Sequence, residues 1–109
     1  MKKVYIAGQY GRRRGLSEEE CEANVYKAIE VARKLIKQGW CPFIPHLYHF
    51  CSKGWHLSPD EDVWFSLCKE WIGDCEAIFM MKGWAQYDGG AVWEYKIAKE
   101  LKKEILFEV

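Results

Sequence analysis

The chain has 109 residues, half of them hydrophobic, which suits one compact domain with a single core over residues 1–109. Sixteen basic and sixteen acidic side chains cancel, which excludes the broad positive field of a protein that grips a nucleic-acid polymer. The apolar stretch in the opening MKKVYIAG is too short for a signal peptide or a membrane span, so the expected setting is the cytoplasm, with no membrane partner.

Lys3 to Ala7 (KVYIA) is a β-branched and aromatic run ending at Gly8, the pattern of a buried strand. After the loop GQYGRRRG, Ser17 and Glu20 form an S-x-x-E capping box. Cys21, Val25, Ala28, Ile29, Ala32, Leu35 and Ile36 then recur at helical spacing, which predicts a helix to about Gln38 with Gly39 ending it. Cys41 to Pro45 (CPFIP) reads as a short strand, and Pro42, which cannot donate to a ladder, places it at an edge or at a strand start. His46 to Leu57 shows no period. Ser58, Pro59 and Glu61 then supply a cap, a favoured first helical residue and a capping-box partner for a second helix stopping at Gly73. Ala77 to Met81 (AIFMM) suits a central strand, KGWAQYDGG a turn, Ala91 to Lys103 a third helix and ILFEV a last strand. Four strands alternating with three helices imply an α/β fold: an open, doubly wound parallel sheet of the flavodoxin or Rossmann-like three-layer kind.

The five cysteines are odd in number and never arranged as CxxC, so neither a disulfide framework nor a zinc ribbon is indicated, and most are expected to be buried thiols. His46, His49, Cys51 and His56 include an H-x-x-H-x-C run of zinc-type ligands, but no second pair at structural-zinc spacing accompanies it. No metal and no cofactor are expected.

In such sheets the ligand crevice lies beyond the carboxyl ends of the strands at the switch point, which points to two loops. The first holds Gly8, Gln9, Tyr10, Gly11 and Arg12 to Arg14, where glycines allow close backbone approach and guanidinium groups can pair with phosphate. A flexible surface turn with solvated arginines fits the same residues. The second ends at Asp88, Gly89 and Gly90 and leads into a helix whose Ala91, Glu94, Ala98 and Leu101 share one face. A carboxylate on that apolar stripe needs compensation: Glu94 serves chemistry, or lies at the stripe's edge and complements the helix dipole or a lysine. Tyr10, Trp55 and Trp84 lie in predicted loops, where each could stack on a base or cover the core.

KVYIAGQY at the start and GWAQYDGGAVWEYKIAKEL near the end resemble the nucleoside 2-deoxyribosyltransferase-like family, in motif order over nearly the whole chain. The resemblance implies Glu94 as the nucleophile, attacking the anomeric carbon of a nucleoside or nucleoside 5′-monophosphate to give a glycosyl-enzyme ester, followed by hydrolysis or transfer to another base. It implies that Asp88, six residues before, favours a free 5′-hydroxyl, whereas the loop arginines favour a phosphate. It places Cys68 where relatives carry an aspartate that assists the departing base, and gives His46 a position facing the base, where imidazole could donate to a ring nitrogen. The implied substrate-binding set is Gly8, Gln9, Tyr10, Gly11, Arg12, His46, Asp88, Gly89 and Gly90. It also implies a homo-oligomer built on dimers, whose neighbouring chains complete the site. A ligand-binding module that senses nucleotides without turning them over, and a protein-interaction domain in which Glu94 is incidental, are the alternatives.

Overall fold

Strand β1 (Lys3–Ala7) runs through the middle of the molecule, and Val4, Tyr5, Ile6 and Ala7 have no solvent-accessible surface. Such enclosure on both faces requires a neighbour on every side. Strands β2 (Cys41–Phe43) and β3 (Ala77–Met80) flank it and β4 (Glu104–Phe107) lies outside β3, all parallel, in the order β2-β1-β3-β4. The computed structural model describes residues 1–109 in this way.

The strand period of two divides the core. Val4 and Ile6 pack against Ala28, Val31, Ala32 and Leu35 of helix α1 (Glu18–Lys37) on one face. Tyr5 and Ala7 point to the other, against Ile72 of α3 (Glu61–Asp74) and Ala98 of α4 (Gly90–Glu100). The expected open, doubly wound parallel sheet is therefore present.

Local chemistry explains the element ends. The Ser17 hydroxyl accepts from the Glu20 amide at 3.1 Å while the Glu20 carboxylate accepts from the Ser17 amide at 2.9 Å, closing the capping box of α1. Gly39, at φ 93°, ends that helix in the left-handed conformation that spares only glycine a steric cost. Where α1 ends with Gly39 N–H to Ile36 and Trp40 N–H to Leu35, α4 ends with Lys102 N–H to Lys99 and Lys103 N–H to Ala98, but with Lys102 at φ 56° in the glycine position. The third helix thus stops at Glu100, short of the expected Lys103.

Other boundaries also depart from the sequence pattern. Strand β2 ends at Phe43 because Pro45, lacking an N–H, opens a 3-10 turn (Pro45–Leu47) that runs into a short helix, α2 (Tyr48–Ser52), in the segment without a period. There are four α-helices where three are expected. The Ser58 capping box does not form: the Ser58 amide closes a turn onto Trp55, and Asp60 occupies the N-cap of α3 without a side-chain bond. Gly73 lies inside α3, which runs on to Asp74. Cys21 and Cys75 are buried, but Cys68 is only partly so, and Cys41 on edge strand β2 and Cys51 on α2 are exposed. No helix is long and apolar enough to cross a membrane.

Candidate active site

The chain leaves β1 for β2 on one side and later returns to β3 on the other, so the strand order reverses between β1 and β3. The crevice beyond their carboxyl ends is where such sheets bind ligands. A cleft of about 520 Å³ opens there. Its lining includes Glu94 together with Gly8, Gln9, Tyr10, Gly11, Arg12, His46, Asp88, Gly89 and Gly90, residues separated by up to 86 positions in sequence.

Glu94 is the buried carboxylate of the molecule, 8 % exposed, on the α4 stripe shared with Ala91 and Ala98. The hydroxyl of Tyr5, fully enclosed in β1, donates to Glu94 Oε2. Burial pushes the Glu94 carboxyl up to about 8, partly offset by the Tyr5 hydrogen bond. Neither Lys99 nor Lys102 pairs with it, and its burial places it within the stripe rather than at the stripe's edge. Cys68 of α3 lines the same cleft, and its thiol is pushed up to about 11, first by burial and then by the Glu94 charge. Among the residues the sequence did not single out, Tyr5 is the one bonded to Glu94. A tyrosine within a buried strand does carry a signal, since its hydroxyl needs a partner.

His46 is buried, with Nε2 3.3 Å from the Gly8 carbonyl and Nδ1 without a partner. Burial lowers its pKa to about 4, so the ring is neutral at physiological pH. A carbonyl only accepts, which puts the single ring proton on Nε2 and leaves Nδ1 as a lone-pair acceptor. The expected role of proton donor to a base is therefore corrected: this imidazole offers an acceptor.

The first loop is held by packing and hydrogen bonds, with its three arginines exposed. A side chain at Gly8 would meet Met81 Sδ at 2.5 Å, and Gly11 holds φ 109° against Leu16. Gln9 Nε2 donates to the Gly83 carbonyl at 2.8 Å, joining the two loops, so its amide is engaged within the protein. Arg12–Arg14 form a 3-10 turn. Arg13 pairs with Glu61 at 2.6 Å, and Arg14 lies 3.9 Å over the Tyr87 ring across the cleft. Arg12 faces Tyr10 and, at 3.4 Å, His49 Nδ1. Of the three guanidinium groups it is the one without a carboxylate or a close aromatic partner.

Asp88 is exposed at the rim, Gly89 is the N-cap of α4 and Gly90 its first residue. Tyr10 lines the cleft, but Trp84 packs on Tyr95 at 4.6 Å against the core, and Trp55 lies edge-on to Trp64. Trp64, Phe65 and Tyr87 provide the further aromatic walls. The H-x-x-H-x-C run does not converge as a ligand set, since His46 Nε2 faces Gly8 and Cys51 and His56 are exposed.

Fold and cleft together define a doubly wound α/β protein with a buried, tyrosine-bonded carboxylate in its switch-point crevice. The chain belongs to the family described as domain of unknown function DUF4406, whose model matches residues 2–107. No curated protein matches it. Among solved structures it is similar to a 2-desoxiribosyltransferase from Leishmania mexicana, with a TM-score of 0.62 and 22% identity, over 98% of this chain and 63% of that one. The chain thus spans less than two thirds of that enzyme's length, and the likeness is one of fold.

Proposed function

We propose that the protein cleaves or transfers the N-glycosidic bond of a nucleoside or nucleoside 5′-monophosphate, with Glu94 as nucleophile. The observation that carries this reading is the buried Glu94 carboxyl at the cleft floor, held by Tyr5 through Oε2 so that Oε1 is free to attack. A cleft of about 520 Å³ lies within the range for a small-molecule site. Tyr10, Trp64, Phe65 and Tyr87 offer faces for a base. Asp88 accepts from a sugar hydroxyl, and Arg12 attracts a phosphate.

In the first step Glu94, having given its proton to water, bonds through Oε1 to the anomeric carbon as the carbon–nitrogen bond breaks, the electron pair leaving with the base, which takes a proton from water. In the second, water loses a proton and attacks that carbon, or a nitrogen of another base does so, and the carboxylate is released. A carboxylate poorly solvated in the empty cleft gains from the positive charge that develops on the sugar, which is where transition-state stabilisation arises.

A second reading is a nucleotide-sensing module. It is favoured by Cys68, a weak donor, beside Glu94, and by His46, whose free nitrogen only accepts, so that neither assists a departing base. Incubating wild type and Glu94→Ala with a panel of nucleosides and their monophosphates, with and without an acceptor base, separates the two. Base release lost in Glu94→Ala supports glycosyl chemistry; ligand binding without turnover supports sensing.

A further inference from the structure

Outside the reacting carboxylate, one side-chain cluster has an unmet bonding requirement. Glu18 and Glu22 lie one turn apart on α1, the i, i+4 spacing that places them on one face. His49 of α2 packs beside them, its ring fully enclosed and its Nε2 without a hydrogen-bond partner. The nearest carboxylate oxygen, Glu22 Oε2, is 3.7 Å from that nitrogen, too far for a hydrogen bond. A buried nitrogen left unpaired is costly, so a partner is expected to meet it. One ligand atom from each of Glu18, Glu22 and His49 falls within 4.8 Å of the others.

We propose that Glu18, Glu22 and His49 form a binding site for a divalent transition-metal ion of the Zn²⁺ class. Two carboxylates and one neutral imidazole are a common donor set for Zn²⁺, with water completing the shell. Metal–ligand bonds near 2.0–2.2 Å require the donors to draw closer, to about 3.3 Å apart. Glu22 closes from 3.7 Å, and Glu18, whose side chain is exposed, turns inward to complete the set. Lys53, 3.2 Å from Glu22 and half exposed, is the cation the metal would displace.

The site is linked to the cleft through the imidazole. With the metal on Nε2, the ring proton resides on Nδ1 and is donated to the Tyr10 hydroxyl, already bonded to that nitrogen, while the Arg12 guanidinium, a donor 3.4 Å from Nδ1, must turn away from it. Tyr10 lines the cleft, so occupancy would fix one of its aromatic walls. Sequence spacing could not reveal this set, because His49 meets the two glutamates only once α2 packs on α1.

Calorimetric titration of the full chain with Zn²⁺ tests the site. Wild type is expected to take up one equivalent, Glu18→Gln with Glu22→Gln to weaken that uptake at least about tenfold, and Glu19→Gln to leave it unchanged. The two altered glutamates are surface groups, and circular dichroism checks that the double variant is folded. No uptake by wild type, or undiminished uptake by the double variant, as ions held by the free cysteines would give, overturns the proposal.

Discussion

Replacing Glu94 by Gln removes an ionisable group from the floor of the cleft while keeping its shape, and the structure gives the sign and size of the effect on stability. The folded-state pKa of Glu94 is raised from 4.5 to about 8. Its favourable contribution is therefore fully present below about pH 4.5 and is lost as pH rises through about 8, where the folded state must hold a buried charge that the unfolded chain solvates freely. Each unit is worth about 1.4 kcal/mol, so the loss amounts to roughly 5 kcal/mol at most. A glutamine carries no such penalty, and its amide oxygen still accepts from Tyr5. Burial of neutral His46 acts in the opposite sense, since its pKa is lowered to about 4 and stability is lost as pH falls from 6.5 towards that value. This term is common to both proteins and cancels in their difference. Urea denaturation at about pH 5 and about pH 9 should then show Glu94→Gln gaining several kcal/mol over wild type at the higher pH and little at the lower. A difference that does not change with pH would refute the burial of the Glu94 charge.

Further outcomes follow from the same geometry. If the ionised carboxylate is the nucleophile, kcat/KM for base release rises with pH and levels above about 8; a fall over the same range would make Glu94 an acid instead. Tyr5→Phe removes the hydrogen bond that favours ionised Glu94, so the rise should move to higher pH and neutral-pH activity drop roughly 10–100-fold, as for a bond to a charged group. Lys102→Gly relieves the left-handed backbone at the end of α4 and should raise urea stability by about 1 kcal/mol, leaving ligand binding unchanged.

The features read correctly from sequence are those determined by near neighbours in the chain. The Ser17–Glu20 box, the stop at Gly39, the edge position of Pro42 and the Glu94 stripe each follow from spacings of a few residues. The two loops that meet at the cleft were legible because a parallel α/β topology fixes where carboxyl ends converge. What depended on packing was not legible. The Tyr5 hydroxyl meets Glu94 across 89 positions. Likewise the His46 tautomer is set by the Gly8 carbonyl, Trp84 turns to the core through Tyr95, and Ser58 gives its amide to Trp55 instead of capping α3. For Tyr5 and His46 the partner is distant in sequence, and for Ser58 a competing turn only three residues long takes the amide.

The most direct test of Glu94 as nucleophile is rapid quenching of the protein with a nucleoside that it turns over, followed by peptide mass spectrometry. A sugar-sized mass increase on the peptide bearing Glu94, absent in Glu94→Gln, is the expected result. Base release with no adduct at any time point, or an adduct on another residue, would contradict the covalent role assigned to this carboxylate.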